Sequence, residues 1–338
     1  MKTNRFAKIR SVGMHLPEKK VTNVELAAMM EFDVDKYLSD KGITLRHQSA
    51  PDETTSSMAI KAAQDALARA GMPAEAIDLI ILATDTPDYV TPPTSAIVQH
   101  GLGAQNAGAF DINAACADET IALAIGSQYI MLDSEIRNVL VVGAYGMTKW
   151  LDWGPYQESV SKVLATLFGD GAGAVVLSES DEPGYITTKT IAEGKFWDTY
   201  GIYLGTARFP DARMIREKKH LLRFHENEHR VPPDFNTVRW PRLIRQTVEK
   251  AGYKTEDLRL VLMNQVELSV VKMTMEELGL PMTRTHWIAD KYGYAGSASA
   301  FMALCDALQE KKVKDGDLVM FCVSGAGFVL STALFRWT

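Results

Sequence analysis

The chain has 338 residues, 46% of them hydrophobic, enough to bury a large core as two domains or one duplicated domain. Its 36 Lys and Arg against 42 Asp and Glu leave a mildly acidic balance, which gives no electrostatic reason to expect nucleic acid or an anionic membrane as partner. Cys116, Cys305 and Cys322 lack the close spacing of zinc or redox motifs, the polar N-terminus has no signal-peptide core, and no apolar run reaches the ~20 residues of a bilayer span, so a soluble cytoplasmic protein is expected.

Residues 9–13 suit a first strand. Thr22 with Glu25 forms a capping box for a helix over 23–30. A second helix, 56–70, is closed by Gly71 with Pro73 just beyond, and 79–83 is a continuous apolar run of the kind buried on both faces of a sheet. Pro92 and Pro93 open a helix to residue 102. A short apolar segment, 107–112, then leads into Asp111-Ile-Asn-Ala-Ala-Cys-Ala-Asp-Glu-Thr-Ile-Ala, and an alanine-rich helix follows over 120–129, with no breaker until Gly126. Residues 138–144 read as another buried strand, and 168–178 as a glycine-rich turn running into a strand. That turn lacks the following helix and Lys-Ser/Thr of a phosphate loop.

The second half repeats the order of the first. A helix from Asn236 ends at Ala251-Gly252 as one ends at Ala70-Gly71, and the apolar run 258–263 matches 79–83. Gly325-Ala-Gly-Phe-Val-Leu-Ser echoes Gly171-Ala-Gly-Ala-Val-Val-Leu-Ser, and the offsets of 181 (252 minus 71) and 154 (325 minus 171) place an insertion in the first half. An internally duplicated α/β protein follows, each half with helices packed on a mixed sheet.

Cys116 stands where strand turns into helix. In a first helical turn the unpaired N–H groups and the helix dipole favour a thiolate, which would make it a nucleophile. The alternative from local sequence is a small cysteine that only packs behind the helix. Cys305 falls in a helix and Cys322 in an apolar strand.

Several stretches in register over nearly the whole length resemble the β-ketoacyl-acyl-carrier-protein synthase III group of condensing enzymes: Ala50-Pro-Asp-Glu-Thr, Ala83-Thr-Asp-Thr-Pro-Asp-Tyr, Pro92-Pro-Thr, Asp111-Ile-Asn-Ala-Ala-Cys-Ala, Leu151-Asp-Trp, Phe168-Gly-Asp-Gly-Ala-Gly and Gly325-Ala-Gly-Phe. The resemblance implies a thiolase-like α/β fold of two duplicated halves, 1–178 and 179–338, each with a mixed five-stranded sheet, layered α-β-α-β-α. It implies Cys116 as the acylated nucleophile, with the backbone of Cys116 and Ala326 as oxyanion hole. Substrates would be acyl thioesters of carrier-protein phosphopantetheine or coenzyme A, with no further cofactor and no metal.

Other positions depart from the pattern. The histidine of the family's His-Gln-Ala-Asn falls at Asn264, in Asn264-Gln-Val-Glu, and the asparagine of Tyr-Gly-Asn-Thr-Ser falls at Tyr294. An amide or a phenol can donate to an oxyanion but cannot cycle a proton near neutrality as imidazole does. Glu267, Asp118 and Glu119 are candidate replacement acid–base groups, or, for the latter two, helix-end charges without chemistry. His47, His100 and His286 lie in no site motif. The segment 36–42 lacks the family's Trp and Arg beside the coenzyme A adenine, although Arg46 matches a family arginine and Lys149 stands where another is common.

The resemblance also implies a homodimer in which the small Thr91 stands where a gating aromatic enters the partner's acyl pocket, leaving room for acyl chains longer than acetyl. Between 208 and 245 ten basic residues, Arg208, Arg213, Arg216, Lys218, Lys219, Arg223, Arg230, Arg239, Arg242 and Arg245, outnumber the acids Asp211, Glu217, Glu226, Glu228 and Asp234, which suggests a docking face for an acidic carrier protein. The expected function is acyl transfer through Cys116 to a malonyl thioester or to an oxygen or nitrogen acceptor, in fatty acid, polyketide or other secondary metabolism. A catalytically quiet partner subunit of an active homologue is the alternative.

Overall fold

The structure, a computed structural model, describes residues 5–31, 33–38, 40–153, 159–225 and 231–338. Its first sheet comprises β1 (Phe6–His15), β2 (Leu79–Ala83), β3 (Gly108–Ile112), β4 (Asn138–Tyr145) and β5 (Gly171–Ser180), in the spatial order β1-β5-β4-β2-β3. The second comprises β6 (Tyr185–Ala192), β7 (Leu258–Met263), β8 (Leu318–Gly325) and β9 (Val329–Arg336), in the order β6-β9-β8-β7. Strand for strand the directions agree. β2 pairs in parallel with β4 as β7 does with β8, and the next two pairings in each sheet are antiparallel.

The second sheet has four strands among the described residues, where five are expected. The counterpart of β3 is a single parallel bridge, Val261 to Thr285. The chain before it is wound into a 3₁₀ turn after Pro281, and beyond it the Gln265 side chain stands in for a strand, donating to His286 O at 3.1 Å and accepting from Ile288 N at 2.8 Å. The first-half insertion lies between β4 and β5. There residues 146–170 intervene, against only 326–328 between β8 and β9.

Helices α1 (Thr55–Ala70) and α2 (Thr94–Leu102) cover the outer face of the first sheet, and α4 (Phe235–Lys250) with α5 (Leu268–Glu277) covers that of the second. Between the sheets lie α3 (Asp118–Leu132) and α6 (Ser299–Gln309), which touch both, so the layers run α-β-α-β-α. A helix sandwiched in this way must be small and apolar on every side. That explains the alanines of α3, and why Gly126 continues the helix instead of breaking it: a Cβ there would meet Leu177 and Val139 side chains at 3.0 Å. Elsewhere local rules hold. Thr22 and Glu25 form the capping box of the helix Asn23–Met30, Gly71 closes α1 at φ 60°, and all five residues of β2 are buried.

Candidate active site

The parallel strands β2, β3, β4, β7 and β8 deliver their carboxyl ends to one cavity of about 760 Å³. Beyond β3, Asn113 Oδ1 accepts from Ala115 N at 3.0 Å, and Ala115 adopts φ 48°, a left-handed conformation that costs a residue with a Cβ about 1–2 kcal/mol. This turn presents Cys116 to the cavity one residue before the N-cap of α3. Gly325, at the end of β8, closes against it from the other half. A Cβ on Gly325 would lie 2.4 Å from Ala114 O and 2.9 Å from Cys116 N, so only glycine permits the two backbones to meet. The turn that follows, with Gly327 at φ 76° and Phe328 at φ 55°, brings Ala326 into the same lining.

A hydrogen-bonded chain runs to the sulfur. Ser324 N donates to Asn264 Oδ1 at 2.5 Å, which fixes the amide so that its Nδ2 donates to Tyr294 Oη at 2.8 Å. The Tyr294 hydroxyl in turn donates to Cys116, and its ring packs 5.6 Å from that of Phe168. Burial pushes the Tyr294 hydroxyl well above the usual phenol range, so it remains a donor.

The expectation of a resting thiolate is not met. Burial pushes the Cys116 thiol far up, the charges of Asp85, Asp118 and Glu119 push the same way, and the Tyr294 hydrogen bond offsets only part. Desolvation outweighs the helix end because the first turn of α3 is wholly buried between the sheets.

The three carboxylates singled out in the sequence separate in space. Glu119 accepts from Ala300 N at 3.0 Å and Phe301 N at 3.2 Å, the open end of α6, and Asp118 accepts from Ser297 Oγ at 3.1 Å. Burial raises the pKa of both, and neither lines the cavity. Glu267 does, part-exposed, and there Lys41 pairs with it at 3.0 Å and Ser269 Oγ donates to it at 2.9 Å. The acidic group that sequence reasoning missed is Asp85. It lines the cavity with Cys116, its Oδ1 is covered and unpartnered, and burial lifts its pKa to about 7. Its position, just past a wholly apolar parallel strand, is where such sheets place ligand-binding groups, and that was the available signal.

His47, hydrogen-bonded to Pro17 O, and His286, bonded to Asp306 Oδ1 at 2.6 Å, serve the fold, and His100 is exposed on α2; none lines the cavity. Among the described residues the one grouping with metal-ligand spacing, His286, Asp306 and Glu310, is already held by Lys291 and Lys312.

Residues 110–194 match the family model described as 3-oxoacyl-[acyl-carrier-protein] synthase III, and residues 248–337 match its C-terminal counterpart. A β-ketoacyl-[acyl-carrier-protein] synthase III of Methylococcus capsulatus is 34% identical, over 99% of this chain and 100% of its own, and that of Xanthomonas oryzae is 31% identical over 98% of each. The chain belongs to the synthase III family. A solved synthase III from Aquifex aeolicus superposes with a TM-score of 0.84 at 32% identity, covering 98% of this chain and 100% of that one. The priming β-ketosynthase of the R1128 polyketide pathway gives 0.86 at 28%, covering 99% and 97%.

The entrance of this synthase III relative is only partly what its sequence suggests. Arg46 is fully buried and holds Val21 O and Asn23 Oδ1, and Lys149 binds Pro51 O and Glu53 O, so neither reaches the cavity. Five of the basic residues are ion-paired: Arg213 and Lys219 with Glu217, Lys218 with Asp152, Arg239 with Glu193 and Arg245 with Glu277. Arg208, Lys219 and Arg223 line a second groove that shares Tyr203 with the main cavity; Arg216 and Arg242 line neither. Glu226, Glu228 and Arg230 lie outside the described residues. Thr91 is exposed and absent from the cavity of its own chain.

Proposed function

We propose that Cys116 takes an acyl group from a carrier-protein or coenzyme A thioester and passes it to a second substrate. The protein is an acyltransferase of the synthase III-like condensing family. The observation that carries the reading to this residue is the Cys116 turn at the base of a largely apolar cavity, closed by Gly325 and reached by the Asn264–Tyr294 chain. Attack of sulfur on the thioester carbon expels the donor thiol, while the backbone N–H groups of Cys116 and Ala326 stabilise the tetrahedral oxyanion. Asn264 and Tyr294 then act as donors toward charge developing on sulfur or on the second substrate. A malonyl thioester gives its carbanion by losing carbon dioxide, so condensation survives without a C–H base but is slow, whereas an alcohol or amine needs its proton removed.

On this reading the chain divides at about residue 178 into a half carrying the nucleophile and a half carrying the second-substrate groups. The edge strand β3, half-exposed and paired only with β2, joins its equivalent in a second copy, and the exposed segment with Tyr89, Val90 and Thr91 meets the partner's cavity. An open strand edge of this kind calls for cover. Carrier protein docks at the groove of Arg208, Lys219 and Arg223. Among the described residues no helix is long and apolar enough to cross a membrane.

The test is intact-protein and peptide mass spectrometry after incubation with a panel of acyl thioesters. Acyl mass on the Cys116 peptide, absent from Cys116→Ala and more abundant with octanoyl than with acetyl donors, is expected. Acyl mass that persists in Cys116→Ala or appears on Cys305 or Cys322 overturns the assignment. No acyl mass with any donor leaves the quiet partner subunit.

A further inference from the structure

The geometry points to Asp85 as the group that moves the proton at Cys116, in place of the imidazole that position 264 lacks. The inference rests on the reading of Cys116 as nucleophile and adds the base which that reading leaves open. Asp85 follows β2, whose pairing with β3 sets it beside the Cys116 turn, and both residues line one cavity. Its loop is held on both sides: Thr84 N donates to Ile112 O at 3.1 Å, Thr86 Oγ1 accepts from Gly146 N at 2.9 Å, and Thr55 Oγ1 donates to Thr86 O at 2.7 Å. A carboxyl oxygen so placed is covered and without a partner, on a residue that borders the cavity Cys116 lines, so a reacting group entering that cavity could satisfy it.

No Lys, Arg or His lines the cavity among the described residues, so nothing there holds Asp85 permanently ionised. The titratable groups that feel its charge are Cys116 after β3, Asp118 at the start of α3, Tyr145 at the end of β4, and Tyr200; all four are pushed up by burial. A pKa of about 7 leaves Asp85 able both to accept and to return a proton near neutrality.

The step balances without an outside reagent. Ionised Asp85 takes the Sγ–H proton as sulfur bonds to the thioester carbon. When the bond from that carbon to the donor sulfur breaks, Asp85 protonates the departing thiolate. In the second half-reaction Asp85 takes the proton of an O–H or N–H acceptor as that atom attacks the acyl-cysteine, and returns it to the Cys116 thiolate as the acyl–sulfur bond breaks.

Iodoacetamide alkylation of Cys116, followed by peptide mass spectrometry from about pH 5 to about pH 9, reads the proton step without any acyl substrate. Because the thiol itself ionises only at high pH, base assistance gives the wild type a separate rise with midpoint near 7. Asp85→Asn is expected to lose that rise and to alkylate at least ~10²-fold more slowly at neutral pH, while Asp85→Glu keeps a rise. A wild-type profile without it overturns the proposal whatever the variants do, as does an unchanged profile in Asp85→Asn. Acyl loading of the same proteins separates the two readings. If the alkylation profile behaves as expected but acyl mass never reaches Cys116, the acyltransferase assignment falls and the proton role stands. If acyl mass appears but the rise survives in Asp85→Asn, the proton role alone falls.

Discussion

Tyr294→Phe isolates the hydrogen-bonded chain behind the cysteine. The phenyl ring keeps its place against Phe168, and the hydroxyl oxygen is lost, together with its acceptance from Asn264 Nδ2 and its donation to Cys116. Asn264 cannot turn away, because Ser324 N holds its Oδ1, so a buried N–H is stranded at a cost of about 1–3 kcal/mol in unfolding free energy. At the sulfur, a hydrogen bond to a developing charge worth about 1.5–3 kcal/mol disappears, which is about 10- to 100-fold in rate. Urea unfolding and the kinetics of iodoacetamide alkylation measure the two effects separately. Adding Asn264→Ala removes the stranded donor but also takes the acceptor from Ser324 N, so the double variant should recover neither the lost stability nor the lost rate. If Tyr294→Phe is as stable as the wild type and alkylates as fast, the chain from Ser324 to Cys116 does not act as described.

Gly325→Ala drives a Cβ into the Cys116 turn, 2.4 Å from Ala114 O, and should cost about 3 kcal/mol or more in thermal or urea unfolding and abolish acyl loading. Asn264→His offers Nδ1 to Ser324 N and directs Nε2 toward Tyr294, and is expected to speed malonyl condensation by about tenfold or more in single-turnover assays of pre-acylated enzyme, within the ~10²–10⁴ span of acid–base catalysis. Arg208→Glu with Arg223→Glu should lower kcat/KM for a carrier-protein donor several-fold at low salt and much less at high salt, with small thioesters unaffected. Asp85 has a folded-state pKa near 7 against an ordinary 3.8, so the native state holds its proton more tightly, and the stability it contributes below about pH 4 is lost as pH rises to about 7. Asp85→Asn should therefore raise Tm above pH 7 and flatten the pH dependence of unfolding.

What the sequence revealed about this fold was what neighbours along the chain decide. The Thr22 capping box, the Gly71 cap and the buried run of β2 are local or one-element features. The turn at Cys116 was legible for the same reason. Its protonation was not, because the helix-end rule speaks of one helix while the thiol answers to the sheets packed on both sides of it. Asp118 and Glu119 misled similarly. Their place in a first turn suggested helix-end charge or acid–base chemistry, whereas their partners Ser297, Ala300 and Phe301 come from the other half of the molecule. The basic run between 208 and 245 overstated its free charge because Asp152, Glu193 and Glu277 lie outside it in sequence. The fifth strand of the second sheet was lost to Gln265, whose side-chain role in place of backbone pairing leaves no mark in hydrophobic periodicity.

On the proposed reading, the duplication lets one half supply a proton carrier in place of the other. β2 and β7 occupy the same place in their sheets, each parallel to its neighbour β4 or β8, and just beyond each lies a polar residue that lines the shared cavity, Asp85 two residues past the first and Asn264 one past the second. The resemblance to the family's His-Gln-Ala-Asn motif implies a proton carrier just beyond β7. In this chain the position after β7 carries an amide fixed as a donor, and the loop after β2 carries a carboxyl whose burial brings it into the titration range of an imidazole. The substitution has an electrostatic consequence. An imidazole that takes a proton becomes a cation and steadies the thiolate it has made; a carboxylate that takes one becomes neutral, and before taking it opposes the thiolate. Cys116 beside Asp85 is thus held as a thiol until a substrate carbonyl draws the sulfur forward. On the proposed reading, Tyr294, Asn264 and the backbone turns then stabilise negative charge with dipoles alone.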